Sequence, residues 1–151
     1  MIKLTREPID TATMLSAAQS PDAGAVLLFL GVTRQFTDQR ETTELHYDAY
    51  EQMALKELET LKAEACQRWS LADCSIVHRL GLVPLGEASV AIVTASSHRQ
   101  AAFQAGEWLI DTLKQRVPIW KQENWADGKT QWVHPVEEVI QDERSVMNDQ
   151  R

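Results

Sequence analysis

A strand that runs directly into a long helix is the most restrictive feature of this chain. Residues 88–96 (ASVAIVTAS) are mostly apolar and predict a buried strand. Residues 99–116 follow with the spacing of an amphipathic helix, which Ser96 or Ser97 can cap and which Pro118 ends or bends. The packed side of this helix is predicted to comprise Ala102, Phe103, Gly106, Leu109, Ile110 and Leu113. Such a pair of elements indicates a domain in which helices pack on a sheet.

The rest of the chain alternates between short strands and helices in the same way. Strands are predicted at residues 2–4, 25–31, 43–50, 74–80 and 88–96, and further helices at residues 9–18 and 51–69. The run AVLLFLG at residues 25–31 is continuously apolar, so we expect its strand to be buried on both faces. Residues 33–42 are predicted to be a solvated loop, residues 81–86 a connection, and residues 120–133 a hairpin that turns near Asp127.

Strands that alternate with two long helices indicate one α/β or α+β domain, which we assign to residues 1–151. Hydrophobic residues make up 44% of the chain, enough to form a core. Asp10 or Thr11 is predicted to cap the helix at residues 9–18. The charged residues 136–151 are predicted to form a final helix or a tail.

Charge and hydropathy exclude several classes of partner. A net charge of -7 and a pI near 5.1 argue against general binding to nucleic acid or to an anionic membrane surface. The longest strongly apolar run, residues 23–32, is too short to span a bilayer, and residues 1–20 lack the apolar segment of a signal peptide. Cys66 and Cys74 have no metal-binding or redox spacing, so we expect free thiols and a cytoplasmic protein.

Basic residues gather around the helix at residues 99–116. His98 and Arg99 open it, where unsatisfied N–H groups and the positive end of the helix dipole attract phosphate or carboxylate. Lys114 and Lys121 are seven residues apart near its other end, and a desolvated lysine beside other cations suits acid–base or nucleophilic work. From spacing alone, a solvated helix start and a basic helix end that compensates the dipole remain the favoured interpretation.

A further cation, Arg34, follows the end of the predicted strand at residues 25–31, and strand ends commonly bind ligands in α/β sheets. The chain contains neither a dinucleotide fingerprint nor a phosphate loop. No metal site and no cofactor are predicted, because no ligand spacing connects the histidines His46, His78 and His134.

A long series of motifs runs in fixed order from residue 24 to about residue 133. It comprises AVLLFLGVTR, then LHYDAYEQMALKELE, then IVHRLGLVPLGEASVAIVTASSHRQAAFQAGEWLIDTLKQRVPIWKQE, and finally WV. In these motifs the chain resembles the large, catalytic subunit of molybdopterin synthase. The succession of SSHR, F-x-A-G and D-x-L-K-x-R-x-P-x-W-K makes the resemblance specific.

The resemblance implies a fold, a reaction and partners. The fold would be α+β, an α/β hammerhead with an additional small antiparallel β subdomain, and it would form a homodimer within a heterotetramer. The enzyme would be a sulfurtransferase of molybdenum cofactor biosynthesis that acts on cyclic pyranopterin monophosphate. A small ubiquitin-like sulfur-carrier subunit would supply two sulfurs from its thiocarboxylated C-terminus, which would form the dithiolene of molybdopterin.

The resemblance also implies roles for individual residues. Lys114 and Lys121 would be catalytic. The implied substrate-binding residues are Val32, Thr33, Arg34, His98, Arg99, Lys114, Lys121, Gln122 and Glu123. The family often has a basic residue where this chain has Val32, and the loop QFTDQRET lacks the family's common Asn and Gly.

Two alternatives to catalysis remain open at this point. One is a non-catalytic dimeric module that docks a ubiquitin-like tail or a small anion, and the presence of Lys114, Lys121, His98 and Arg99 counts against it. The other is an anion-binding regulatory domain, which would bind an effector without turnover.

Overall fold

The structure is a computed structural model that describes residues 1–133. Its helices are α1 (Thr11–Ala17), α2 (Glu51–Trp69) and α3 (Arg99–Arg116). Its strands are β1 (Ile2–Thr5), β2 (Ala25–Val32), β3 (Phe36–Thr37), β4 (Arg40–Ala49), β5 (Asp73–Arg79), β6 (Gly81–Pro84), β7 (Ala88–Ser96), β8 (Ile119–Trp125) and β9 (Thr130–Val133). The predicted helix or tail at residues 136–151 lies outside the described residues, so the single domain at residues 1–151 stays a prediction.

Two sheets organise the fold. The first has the order β1-β5-β7-β2, with β1 and β5 parallel and the other pairs antiparallel. The second is antiparallel, with the order β3-β4-β8-β9 and β6 paired to β4. The predicted α+β class with an additional antiparallel part is confirmed. None of the helices in residues 1–133 is long and apolar enough to cross a membrane.

The core lies between the first sheet and the pair α2 and α3. Its fully buried side chains include Leu58, Leu61, Ile76, Ile92 and Leu109. Burying a side chain of this size contributes about 1.5–3 kcal/mol. Because side chains alternate along a strand, Val77, Ala91 and Val93 point to the opposite face, where they form a second cluster with Met14 of α1.

Helix α3 ends where the sequence requires it. Pro118 disfavours helical geometry in the residue before it, and Val117 has the extended angles φ -84° and ψ 128°. The chain therefore leaves α3 directly into β8. At the other end, His98 is the N-cap without a side-chain cap bond, and Ser96 accepts a hydrogen bond from the His98 N–H instead, so the predicted serine cap is wrong.

Asp10 caps α1 as predicted, because its side chain accepts a hydrogen bond from the Thr13 N–H. The expectation that the strand at residues 25–31 is buried on both faces is wrong. Strand β2 is at the edge of its sheet, and Val26 and Leu30 are 43% and 39% exposed. Phe103, predicted to be packed, is 59% exposed.

Two segments predicted without strands contain them. Within residues 33–42, β3 pairs with the start of β4 through a turn at Asp38 and Gln39, both with positive φ. Within residues 81–86, β6 pairs with β4. Strand β3 has only two residues, and β6 has four that lie among the turn residues Gly81, Pro84 and Gly86, so neither segment shows the period of a strand. Pairing to β4 stabilises both strands instead.

Candidate functional site

A cavity of about 510 Å³ lies where the two sheets meet the C-terminal end of α3. Its lining includes Arg34 after β2, Lys114 near the end of α3, and Lys121 and Glu123 on β8. The turn at Pro118 brings the two lysines together, because it sends the chain from the helix into the antiparallel sheet. Of the predicted site residues, Val32 also lines this cavity.

The cavity is rich in positive charge although the chain is acidic. Among the described residues, its lining carries the cations Arg34, Arg40, Lys114 and Lys121 and the carboxylates Asp38 and Glu123. Positive groups around one concave surface favour an anionic ligand, and a partly dehydrated site strengthens that attraction. Within residues 1–133, no group of three or more His, Cys, Asp or Glu side chains could hold a metal ion.

Glu123 connects Lys121 to a buried hydroxyl. The Lys121 Nζ lies 3.7 Å from the Glu123 Oε1, and the side chains are 13% and 6% exposed. The other carboxylate oxygen of Glu123 accepts a hydrogen bond of 2.9 Å from the Thr42 hydroxyl. The carboxylate therefore has a specific partner on each side, which stabilises its buried charge. No motif in the sequence indicated Thr42.

His78 is a second residue that sequence reasoning missed. It lies on β5, lines the cavity and is 4% exposed. Its Nδ1 lies 2.9 Å from the carbonyl oxygen of Arg79, and its ring meets the edge of Tyr47 at a centroid distance of 4.9 Å. Burial lowers the pKa of His78 to about 4, so the ring is neutral at pH 7. Because a carbonyl only accepts, Nδ1 carries the proton and Nε2 the lone pair.

Arg40 and Trp125 form the wall near β3. The Arg40 guanidinium lies 3.8 Å from the centroid of the Trp125 ring, and it also contacts Asp127 at 3.9 Å. This stacking holds a cation at the cavity where the sequence predicted only a loop.

Thr33 and Gln122, both predicted to bind substrate, are not among the residues that line the cavity. Thr33 is 3% exposed, its N–H donates to the Glu87 carbonyl, and its own carbonyl accepts from the Gly86 N–H. Gln122 lies between Lys121 and Glu123 on β8, so alternation directs its side chain to the other face. Their roles stay predictions.

His98 and Arg99 are not in the cavity either. They line a separate shallow depression on the exposed side of α3 with Gln100, Phe103 and Gln104. Arg99 and Lys114 stand near opposite ends of one helix, and fifteen residues of α-helix span about 22 Å. One chain therefore cannot place both on the same small ligand.

Comparisons with known proteins agree on one family. The family model described as MoaE protein matches residues 4–116. The molybdopterin synthase catalytic subunit of Bacillus subtilis (strain 168) is 41% identical over 131 residues, which cover 87% of this chain and 83% of the relative. The molybdopterin synthase catalytic subunit of Thermoplasma volcanium is 38% identical, with coverage of 87% and 96%.

Solved structures show the same likeness. Molybdopterin synthase from Staphylococcus aureus superposes with a TM-score of 0.82 at 36% identity, covering 86% of this chain and 94% of that one. A complex of subunits 1 and 2 of molybdopterin-converting factor from Helicobacter pylori 26695 gives a TM-score of 0.72 at 25% identity, with coverage of 87% and 89%. The chain therefore belongs to the MoaE family of molybdopterin synthase catalytic subunits.

Proposed function

We propose that this chain is the catalytic subunit of a cytoplasmic molybdopterin synthase and acts as a sulfurtransferase. It transfers two sulfurs to cyclic pyranopterin monophosphate, and the product is the dithiolene of molybdopterin. Each sulfur comes from the thiocarboxylated C-terminus of a small ubiquitin-like carrier subunit, so two thiocarboxylates are converted to carboxylates for each pterin. The observation that carries this proposal is a cationic cavity holding Lys114 and Lys121 in a chain whose net charge is -7.

Each ligand of this reaction is an anion, which is what the cavity favours. Arg34 is exposed at the cavity, and a guanidinium can grip a phosphate through two parallel hydrogen bonds. Lys114 and Lys121 are partly buried, where an ammonium stabilises the negative charge that develops as sulfur adds. A lysine in this position can also hold or move a proton during the transfer.

The carrier's tail enters the same cavity in this proposal. An extended chain with terminal glycines has no side chains to exclude it from a narrow channel, and its terminal thiocarboxylate is drawn to the lysines. The Helicobacter pylori structure, a complex of two molybdopterin-converting factor subunits, supports such an assembly.

A second copy of the chain supplies His98 and Arg99. The length of α3 keeps them away from the cavity of their own chain, and both are exposed. In a homodimer within a heterotetramer, the start of α3 in one protomer can lie at the cavity mouth of the other. The phosphate of the substrate then meets Arg34 from one copy and Arg99 from its partner, which would explain why the chain carries two basic groups so far apart.

Reconstitution tests this function. The purified chain is mixed with thiocarboxylated carrier and cyclic pyranopterin monophosphate, and the dithiolene product is measured by mass spectrometry. We expect product with two sulfurs per pterin and loss of the thiocarboxylate from the carrier. A chain that binds the carrier tightly and yields no dithiolene would be the non-catalytic docking module instead.

A further inference from the structure

Thr42 has a buried hydroxyl at the cavity. None of the comparisons assigns a role to this residue. It is 1% exposed, lines the cavity, and donates its hydrogen bond of 2.9 Å to the Glu123 Oε2. The Glu123 Oε1 in turn faces the Lys121 Nζ at 3.7 Å. Three side chains from two strands thus form a short chain of polar contacts that ends at a lysine of the proposed reaction.

An irregularity in β4 places Thr42 there. Leu45, Tyr47 and Ala49 follow the alternation of a regular strand, which would put Thr43 rather than Thr42 on their face. The pairing of β4 with β8 shifts between Thr42 and Glu44, so the strand bulges. A bulge changes the face on which the following side chains lie. Thr43 is consequently exposed and donates to the Asn124 carbonyl, whereas Thr42 turns inward.

We propose that Thr42 is a positioning residue for sulfur transfer, which acts through Glu123 on Lys121; this inference rests on the proposed function. Threonine has a stiff χ1 angle, so its hydroxyl is a fixed donor. With Oε2 held by that donor, the carboxylate keeps Oε1 within ion-pair range of Lys121 at a separation longer than a direct hydrogen bond. The carboxylate thereby fixes the direction of the Lys121 ammonium beside the cavity.

Steady-state kinetics in the reconstituted enzyme separate positioning from folding. Thr42→Val keeps the shape and removes the donor, and we expect kcat to fall about tenfold with little change in KM for the pterin. Thr42→Ser restores the donor and should recover most of the loss. The matched control is Thr43→Val, which removes the neighbouring hydroxyl outside the cavity and should leave kcat unchanged. A Thr42→Val enzyme with normal kcat, or a serine variant as slow as the valine one, would overturn the proposal.

A double-mutant cycle tests the route through Glu123. If Thr42 acts only through this carboxylate, adding Thr42→Val to Glu123→Gln should lower kcat less than twofold further. If the two residues act independently, the fold-losses in kcat of the two single variants should multiply in the double variant. Should Thr42→Val not fold, Thr42→Cys replaces it in both experiments, because a thiol is a weak donor of similar size.

A readout without turnover keeps this inference distinct from the proposed function. NMR of the chain with ¹³C-labelled lysines reports the environment of the Lys121 ammonium. The Lys121 signal is assigned as the one that disappears in Lys121→Arg. We expect the Lys121 signal to move in Thr42→Val and to stay in place in Thr43→Val and Thr42→Ser. An unmoved Lys121 signal in Thr42→Val would refute the positioning role even in an active enzyme, and a wild-type chain that yields no dithiolene would refute the function instead.

Discussion

His78 illustrates at the scale of a residue how the fold sets the chemistry of the cavity. It lies on β5 with its ring against the edge of Tyr47, and its Nδ1–H donates a hydrogen bond to the Arg79 carbonyl. Because a protonated imidazole in this position would lose its hydration, burial keeps the ring uncharged. His78 therefore adds no positive charge to the cavity, whose cations are Arg34, Arg40, Lys114 and Lys121.

The neutral state of His78 makes stability depend on pH. Its pKa in the folded protein is about 4, below the ordinary 6.5, so the unfolded chain binds more protons between these values. The contribution of His78 to the free energy of unfolding is fully present above pH 6.5. It decreases by about 3 kcal/mol as the pH falls to 4. Urea unfolding at a series of pH values checks this. In His78→Asn, that part of the pH dependence should vanish, whereas in His98→Asn, which changes an exposed histidine, it should remain.

Residue identities revealed three of the cations that line the cavity, but neither Arg40 nor the way in which the cations are arranged. Lys114, Lys121 and Arg34 followed from charge, spacing and resemblance, and the structure places them around one cavity. Thr42 could not be predicted, because its inward direction depends on a bulge that has no local sequence signature. His78 was overlooked because its role comes from burial between distant segments, and a lone histidine in a strand does not reveal that.

At the scale of elements, the junction of β2, β7 and α3 determines where His98 and Arg99 are presented. The Gly24 N–H donates to the Ser96 carbonyl at 2.9 Å. A Cβ at Gly24 would lie 2.4 Å from the Ser97 carbonyl oxygen, so only glycine allows this approach. The start of β2 is therefore locked against the segment that leads into α3.

Gly24→Ala should separate these segments. The backbone must shift to accommodate the methyl group, so we expect a loss of about 1–3 kcal/mol in the free energy of unfolding, measured by urea titration. The affinity for the pterin should fall as well, because His98 and Arg99 directly follow Ser97. Asp22→Ala, an exposed change in the same turn, should stay within about 0.5 kcal/mol of the wild type. Equal stability of Gly24→Ala and the wild type would mean that the junction is not tightly packed.

Elements whose apolar residues recur with a clear helical period were predictable from the sequence, whereas elements without such a period were not. Helices α2 and α3 were predicted with the bounds that the structure shows, because their apolar stripes and the Pro118 stop are local signals. Strands β3 and β6 have only two and four residues, too few to show a period, and they form because β4 offers a partner. The exposure of Val26 and Leu30 on β2 depends on its edge position, which the sequence of one strand does not contain.

At the scale of the whole molecule, the length of α3 divides the proposed site between two protomers. Lys114 belongs to the cavity of one copy, and Arg99 is about 22 Å away along the same helix. Both can act on one substrate only if symmetry brings the start of α3 from a second copy to the cavity.

Mixed dimers test this division. Chains with Lys114→Ala and chains with Arg99→Ala should each be nearly inactive, but a heterodimer of the two contains one site with both residues intact. Random assortment makes half the dimers mixed, so co-expressed chains should recover about a quarter of wild-type dithiolene formation. No recovery, in dimers confirmed by separate affinity tags, would mean that the two residues act within one chain or not on the same substrate.

In the proposed function, sulfur adds to the pterin in the cavity beside Lys114. The most direct measurement is the single-turnover rate of dithiolene formation by Lys114→Ala, with Lys56→Ala as a control that removes an exposed lysine from α2. Because a positioned acid–base group is lost, we expect the Lys114→Ala rate to fall about 10²–10⁴-fold while carrier binding and thermal unfolding stay close to wild type. The Lys56→Ala rate should be unchanged. A Lys114→Ala chain that forms dithiolene at the wild-type rate would mean that sulfur transfer does not depend on Lys114.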